Sequence, residues 1–118
     1  MTDLIACLST GKGTWGHVSH LIKSEKWDKV FLITNEYGKE NFQKDLNADF
    51  IVVDSNKALK DLRDDIYNAL NEKTTSAEVA LNIISGSGKE HMAIISAVLK
   101  LGLGLRFVAI TREGMEEL

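Results

Sequence analysis

Two short glycine-containing stretches carry the residue types suited to holding an anion. The first, Ser9 to His17, reads STGKGTWGH and spaces Gly11, Gly13 and Gly16 as G-x-G-x-x-G. Backbone N–H groups and the dipole of a helix that opens there favour a negative group. The same glycines also serve plain backbone geometry at a tight turn. The second stretch, Ser85 to His91, reads SGSGKEH and supplies the hydroxyls, open backbone and cation that a phosphodiester requires. It is not a Walker A loop. G-x-x-x-x-G-K-[ST] would need glycine at Ile83 and a hydroxyl at Glu90, which excludes an ATPase of that class.

The candidate ligand-binding set is therefore Gly11, Lys12, Gly13, Thr14 and Trp15 from the first loop, and Ser85, Gly86, Ser87, Gly88 and His91 from the second. Trp15 either stacks on a nucleobase from a loop tip or packs over a neighbouring strand. His91 reads as a helix-start residue or as a proton donor. His17 and His20 stand three apart on one helix without a third ligand at suitable spacing, so they read as surface or capping residues. No metal and no cofactor is expected.

These loops must be positioned by elements that alternate in type. Residues 3–9, 29–34, 49–54, 79–85 and 105–111 are near-continuous apolar runs, the mark of strands buried on both faces of a parallel sheet. Residues 17–26, 36–45 and 57–72 show helical periodicity between them. Five strand-helix steps predict a three-layer, Rossmann-like α/β domain over residues 1–118, with a five-stranded parallel sheet. An order of 3-2-1-4-5 would place the loops after strands 1 and 4 face to face at the switch point where ligands bind such sheets. An order of 2-1-3-4-5 would separate them, and the loop at 54–57 would matter instead.

The helix at 89–101 is apolar almost all round, through Met92, Ala93, Ile94, Ile95, Ala97, Val98, Leu99 and Leu101. A helix lying on a sheet needs only one apolar stripe, so a second copy of the chain is expected to cover the other side as a two-fold homodimer.

The chain has 118 residues, 44% of them apolar and 26% charged, which suits one folded domain and not a disordered chain. A formal net charge of −3 without any dense Lys/Arg run excludes a general nucleic-acid binder. Lys12, Lys89 and His17 would instead gather positive charge at one place, enough for a small anionic nucleotide ligand. Cys7 is the single cysteine, so it reads as a core residue of a protein from a reducing compartment. The N-terminus has no basic segment, and its apolar run is too short for a signal peptide or membrane span. A cytoplasmic location without membrane contact is expected.

The loop SGSGKEHM followed by AIISAVLKLGLGLRFVAIT resembles the CRISPR-associated Rossmann fold (CARF) domains, whose second loop reads like TGGTK-x-M. The likeness spans most of the chain. It implies a homodimer that binds cyclic oligoadenylate across its two-fold axis, either as a sensor or as a metal-independent ring nuclease in antiviral signalling. In the latter case Ser9 or Thr10 would touch the reacting ribose-phosphate and Lys89 would stabilise developing charge. The loop departs from the family pattern in reading Ser-Gly-Ser-Gly-Lys, with two residues before the methionine. No strand is expected after strand 5, where the sequence reads REGMEEL.

Two other readings come from the residues. G-x-G-x-x-G at 11–16, with Glu36 placed 20 residues beyond Gly16, matches an NAD-type dinucleotide site, although His20 stands where a small residue usually packs. Alternatively, the apolar helix makes a dimeric interaction module and the loops are only turns.

Overall fold

The computed structural model describes residues 2–9 and 11–118. Its six strands are β1 (Asp3–Cys7), β2 (Val30–Thr34), β3 (Asp49–Val52), β4 (Glu78–Asn82), β5 (Gly104–Thr111) and β6 (Gly114–Glu117). Four helices join them: α1 (Trp15–Ser24), α2 (Glu36–Asn41), α3 (Leu59–Leu70) and α4 (Gly88–Lys100). All six strands form a single mixed sheet in the order β3-β2-β1-β4-β5-β6. The fold is α/β and broadly Rossmann-like. The expected five-stranded, all-parallel sheet is corrected to six strands, because the TREGMEE segment turns back on itself.

Thr111 pairs with Gly114 across a two-residue turn, and β6 then runs antiparallel to β5 with Ile110 opposite Met115 and Val108 opposite Glu117. Gly114 takes φ +102°, a value that L side chains rarely adopt. Met115 packs into the core with Ile110, which ties the return strand down.

The remaining strands are parallel, and their alternation divides two apolar layers. Ile5, Cys7, Phe31, Ile33, Val79 and Leu81 point to the side covered by α3 and α4, where Leu62, Ile66, Leu70, Ile94, Ala97 and Val98 meet them. Leu4, Ala6, Leu8, Leu32 and Ala80 point to the side covered by α1 through Val18, Leu21 and Ile22. β1, β2 and the interior of β4 are buried on both faces, so apolar residues follow one another without alternation there.

α2 is shorter than the sequence suggests and is held by local contacts. Asn35 Oδ1 accepts from Gly38 N at 2.8 Å to cap its start. Gly38 lies so close over Thr34 that a Cβ there would collide with the threonine side chain. Thr34 Oγ1 donates to Leu8 O at 2.7 Å, which links the end of β2 to the chain leaving β1. No helix among the described residues is long and apolar enough to cross a membrane.

Candidate functional site

Parallel β1 and β4 are direct neighbours, with Ala6 opposite Asn82, so the loops that leave their carboxyl ends start side by side. They are joined by hydrogen bonds. Ser9 N donates to Ser85 Oγ at 2.8 Å, and Ser85 Oγ donates to Ser9 Oγ at 3.0 Å. Ser85 is buried, and both its donor and its acceptor capacity turn toward Ser9. Ser9 Oγ also accepts from Gly11 N at 3.3 Å. With two donors directed at it, the Ser9 oxygen has its own O–H left to offer outward. The sheet thus presents a hydroxyl donor at the switch point between β1 and β4.

The first loop continues as a short 3-10 turn, Lys12–Thr14, into α1. Thr14 takes the N-cap position of α1 without a side-chain cap, and the Trp15 amide that follows it donates to Lys12 O. Gly11, Lys12 and Gly13 are exposed. A Cβ at Gly13 or Gly88 would meet nothing within 4 Å, and neither residue has a positive φ. Backbone geometry therefore does not demand glycine at these two positions.

Gly86 is the opposite case. Its φ is +107°, and a Cβ would lie 2.6 Å from Cys7 Sγ and 3.1 Å from His91 Nε2. The second loop is folded down onto the end of β1 at this point. Cys7 beneath it is buried, and burial with the negative charge of Glu90 pushes its thiol up to about 12. It is an inert core group at neutral pH.

Ser87 and Glu90 close the start of α4 with a capping box. Ser87 Oγ accepts from Glu90 N at 3.3 Å, and Ser87 N donates to Glu90 Oε1 at 2.8 Å. The Ser87 amide is therefore already occupied by a carboxylate, which an incoming anion would have to displace. Lys89, in the first turn of α4, is exposed and forms no ion pair among the described residues. His91 Nε2 lies 2.8 Å from Ser85 O. A carbonyl only accepts, so Nε2 carries the proton.

Trp15 packs and does not stand free at a loop tip. Its Nε1 donates to Ser9 O at 2.8 Å, its ring meets Phe42 edge-on at 5.7 Å, and Tyr37 lies 6.1 Å away. Lys12 Nζ rests over both Trp15 and Tyr37, at 5.8 and 5.5 Å from their ring centroids. His17 does not join the cations. Its Nε2 accepts from Ile110 N at 3.3 Å and lies 3.2 Å from Asn82 Nδ2, so the ring is neutral with its proton on Nδ1. Burial, reinforced by His20, holds its pKa below the ordinary 6.5.

The loops that leave β1 and β4 carry Ser9, Gly11, Lys12, Gly13 and Thr14 on one side and Ser87, Gly88 and Lys89 on the other, and they are joined through Ser9 and Ser85. Ser85 is buried beneath Ser9, whereas Gly86 is exposed and His91 half-buried beside it. Thr10, the other hydroxyl named for the first loop, lies outside the described residues. Among the described residues no group of three His, Cys, Asp or Glu is placed to hold a metal ion. Sequence reasoning missed the capping role of Glu90, although Ser87-x-x-Glu90 is a legible capping box. It also missed Tyr37, whose position beside Lys12 depends on the packing of α2. No protein-family model and no curated protein matches the chain.

Proposed function

We propose that the chain binds an anionic nucleotide over the carboxyl ends of β1 and β4, and that this ligand is a cyclic oligoadenylate. The observation that carries the reading is the direct joining of the two glycine loops by Ser9 and Ser85 at 2.8 and 3.0 Å. The loops that meet there carry an outward hydroxyl, an α1 start without a side-chain cap, and Lys12 and Lys89, which have no carboxylate partner among the described residues. These are donor and cationic groups suited to phosphate oxygens. Glycine at 13 and 88, where neither φ nor packing demands it, leaves room for a ligand to approach the backbone.

In this reading two copies meet through α4 and enclose one ring, as the resemblance to CARF domains implies. Met92 and Leu99 on the outer side of α4 are 60% and 58% exposed. With Ile95 they line a groove of about 690 Å³ that begins at Gly88 and His91 in the second loop. An apolar surface continuous with the ligand loops suits a second copy better than open water. A ring held there is either sensed, as one component of CRISPR antiviral signalling, or cleaved without metal. In cleavage a ribose 2′-oxygen bonds to the adjacent phosphorus as the P–O5′ bond breaks, the 2′ proton passes to water, and the leaving 5′-oxygen takes a proton. Ser9 or Thr10 would touch the reacting ribose-phosphate, and Lys89 would stabilise the charge that builds on the phosphate.

The test is to incubate the protein with labelled cyclic tetra- and hexa-adenylate in EDTA, following retention and product together. Retention of either ring is expected, and linear product would add the nuclease activity. Failure to retain both rings would overturn the reading. Retention of a nicotinamide dinucleotide in their place would turn it toward G-x-G-x-x-G and Glu36.

A further inference from the structure

A second groove opens beside the first loop, at the carboxyl ends of β2 and β3. It measures about 620 Å³, and its lining includes Glu36, Tyr37, Val52, Asp54, Lys57 and Asp65. Its charge is opposite to that of the glycine loops. Lys57 Nζ pairs with Asp65 Oδ2 at 2.8 Å, and Glu36 and Asp54 form no direct ion pair among the described residues, although Lys57 also feels the charge of Asp54. Among the described residues, Asp54 Oδ1 accepts only from its own turn, at Asn56 N. A phosphate would be repelled here, whereas groups that donate O–H or N–H bonds find carboxylate acceptors.

The groove also offers a ring face. Tyr37 is 41% exposed, and Val52 beside it is 37% exposed, which gives an apolar platform next to the carboxylates. Lys12 connects the two regions, because its ammonium lies 5.5 Å from the Tyr37 ring while its backbone belongs to the first glycine loop. A phosphate drawn to Lys12 and the Gly11–Gly13 backbone therefore stands next to a ring-sized space with acidic walls. Free sugar phosphates would satisfy the carboxylates but leave the Tyr37 and Val52 surface bare.

We infer that this groove is a ribonucleoside subsite: a base lies on Tyr37 while ribose hydroxyls donate to Glu36 and Asp54, and the attached phosphate sits at Lys12. This rests on the nucleotide reading above, and it assigns to the β2 and β3 ends a role distinct from the anion loops. Base stacking on an aromatic side chain and hydroxyl donation to carboxylates discriminate a nucleotide from bare phosphate.

The test uses the 15N-labelled full chain titrated with inorganic phosphate, ribose 5-phosphate and adenosine 5′-monophosphate. Phosphate is expected to shift amides at 11–13 alone. Adenosine monophosphate is expected to shift those at 35–37 and 52–57 as well, and to bind about tenfold more tightly than ribose 5-phosphate. Tyr37→Ala should remove that advantage and Glu36→Gln with Asp54→Asn should weaken both sugar ligands, with the phosphate response unchanged. Both sets of side chains are exposed, and the same spectra report whether the variants fold. Shifts confined to 11–13 with all three probes, and no effect of the variants, would overturn the subsite and leave the phosphate site standing. Absence of any shift at 11–13 would overturn the nucleotide reading, and the subsite with it.

Discussion

The same strands carry a polar cluster at each end, and the two clusters are finished differently. At the amino end, Asp3 is fully buried and both its carboxylate oxygens are used, by Thr75 N at 2.6 Å and Thr75 Oγ1 at 2.7 Å. Arg106 there lies 2.9 Å from Glu78, 3.1 Å from Glu117 and 3.2 Å from the Thr2 hydroxyl, although its buried Nε makes no well-directed hydrogen bond. At the carboxyl end, Ser9 keeps an unused donor, and Lys12 and Lys89 have no carboxylate partner among the described residues. One end is built mostly of contacts among the chain's own charged and polar groups. The other is left incomplete, which is the condition of a surface that receives a ligand.

The largest effect that would break this contrast belongs to the amino end. Asp3→Ala removes a fully buried carboxylate that anchors the exposed Thr75 through two hydrogen bonds, and a loss of about 2 kcal/mol is expected in urea unfolding. Ligand retention by the folded fraction should not change. A mutant that lost binding while keeping its stability would mean that the amino end is not purely structural.

The carboxyl end should respond the other way. Lys89→Ala removes an exposed side chain, so stability should stay within about 0.5 kcal/mol. Retention of cyclic oligoadenylate should fall about tenfold and become less sensitive to salt. Equal retention by the variant and the parent would show that the open end is not where the phosphates bind.

The smallest effect sharpens the boundary between the two. His17 lies near the carboxyl end but is already satisfied, by Ile110 N, and its folded pKa is held below 6.5. The unfolded chain therefore binds more protons between that lowered value and 6.5. Stability from this group is complete above pH 6.5 and is lost as pH falls below it. Unfolding midpoints measured from pH 7.5 to 5 should show a downward slope that is shallower in His17→Gln. An identical slope in both would indicate that the His17 ring carries its charge in the folded state.

How much of this the sequence discloses depends on whether a feature is local. β1, β2 and β4 announce themselves because covering helices on both faces leave no polar position to interrupt the run. The order that places β1 beside β4 was legible through the positions of the glycine loops. β6 was not, because GMEEL has one inward apolar residue, Met115, and a helix-like composition. Within the site, G-x-G-x-x-G and SGSGK marked the right loops by composition alone. The division of labour inside them was hidden. That Ser85 is buried under Ser9, that Glu90 covers the Ser87 amide and that Trp15 is packed against Phe42 all follow from tertiary contacts, which no spacing rule encodes.

Lys12 rests its ammonium on the Trp15 ring, and the other tryptophan, Trp27, donates to Leu21 O at 3.1 Å beyond the opposite end of α1. A positive charge beside an indole shifts the energy of its excited state, whose dipole differs from that of the ground state. Any group that draws Lys12 away therefore changes the light Trp15 emits and leaves Trp27 as an internal standard, so the folded chain comes with its own optical label at the mouth of the cleft.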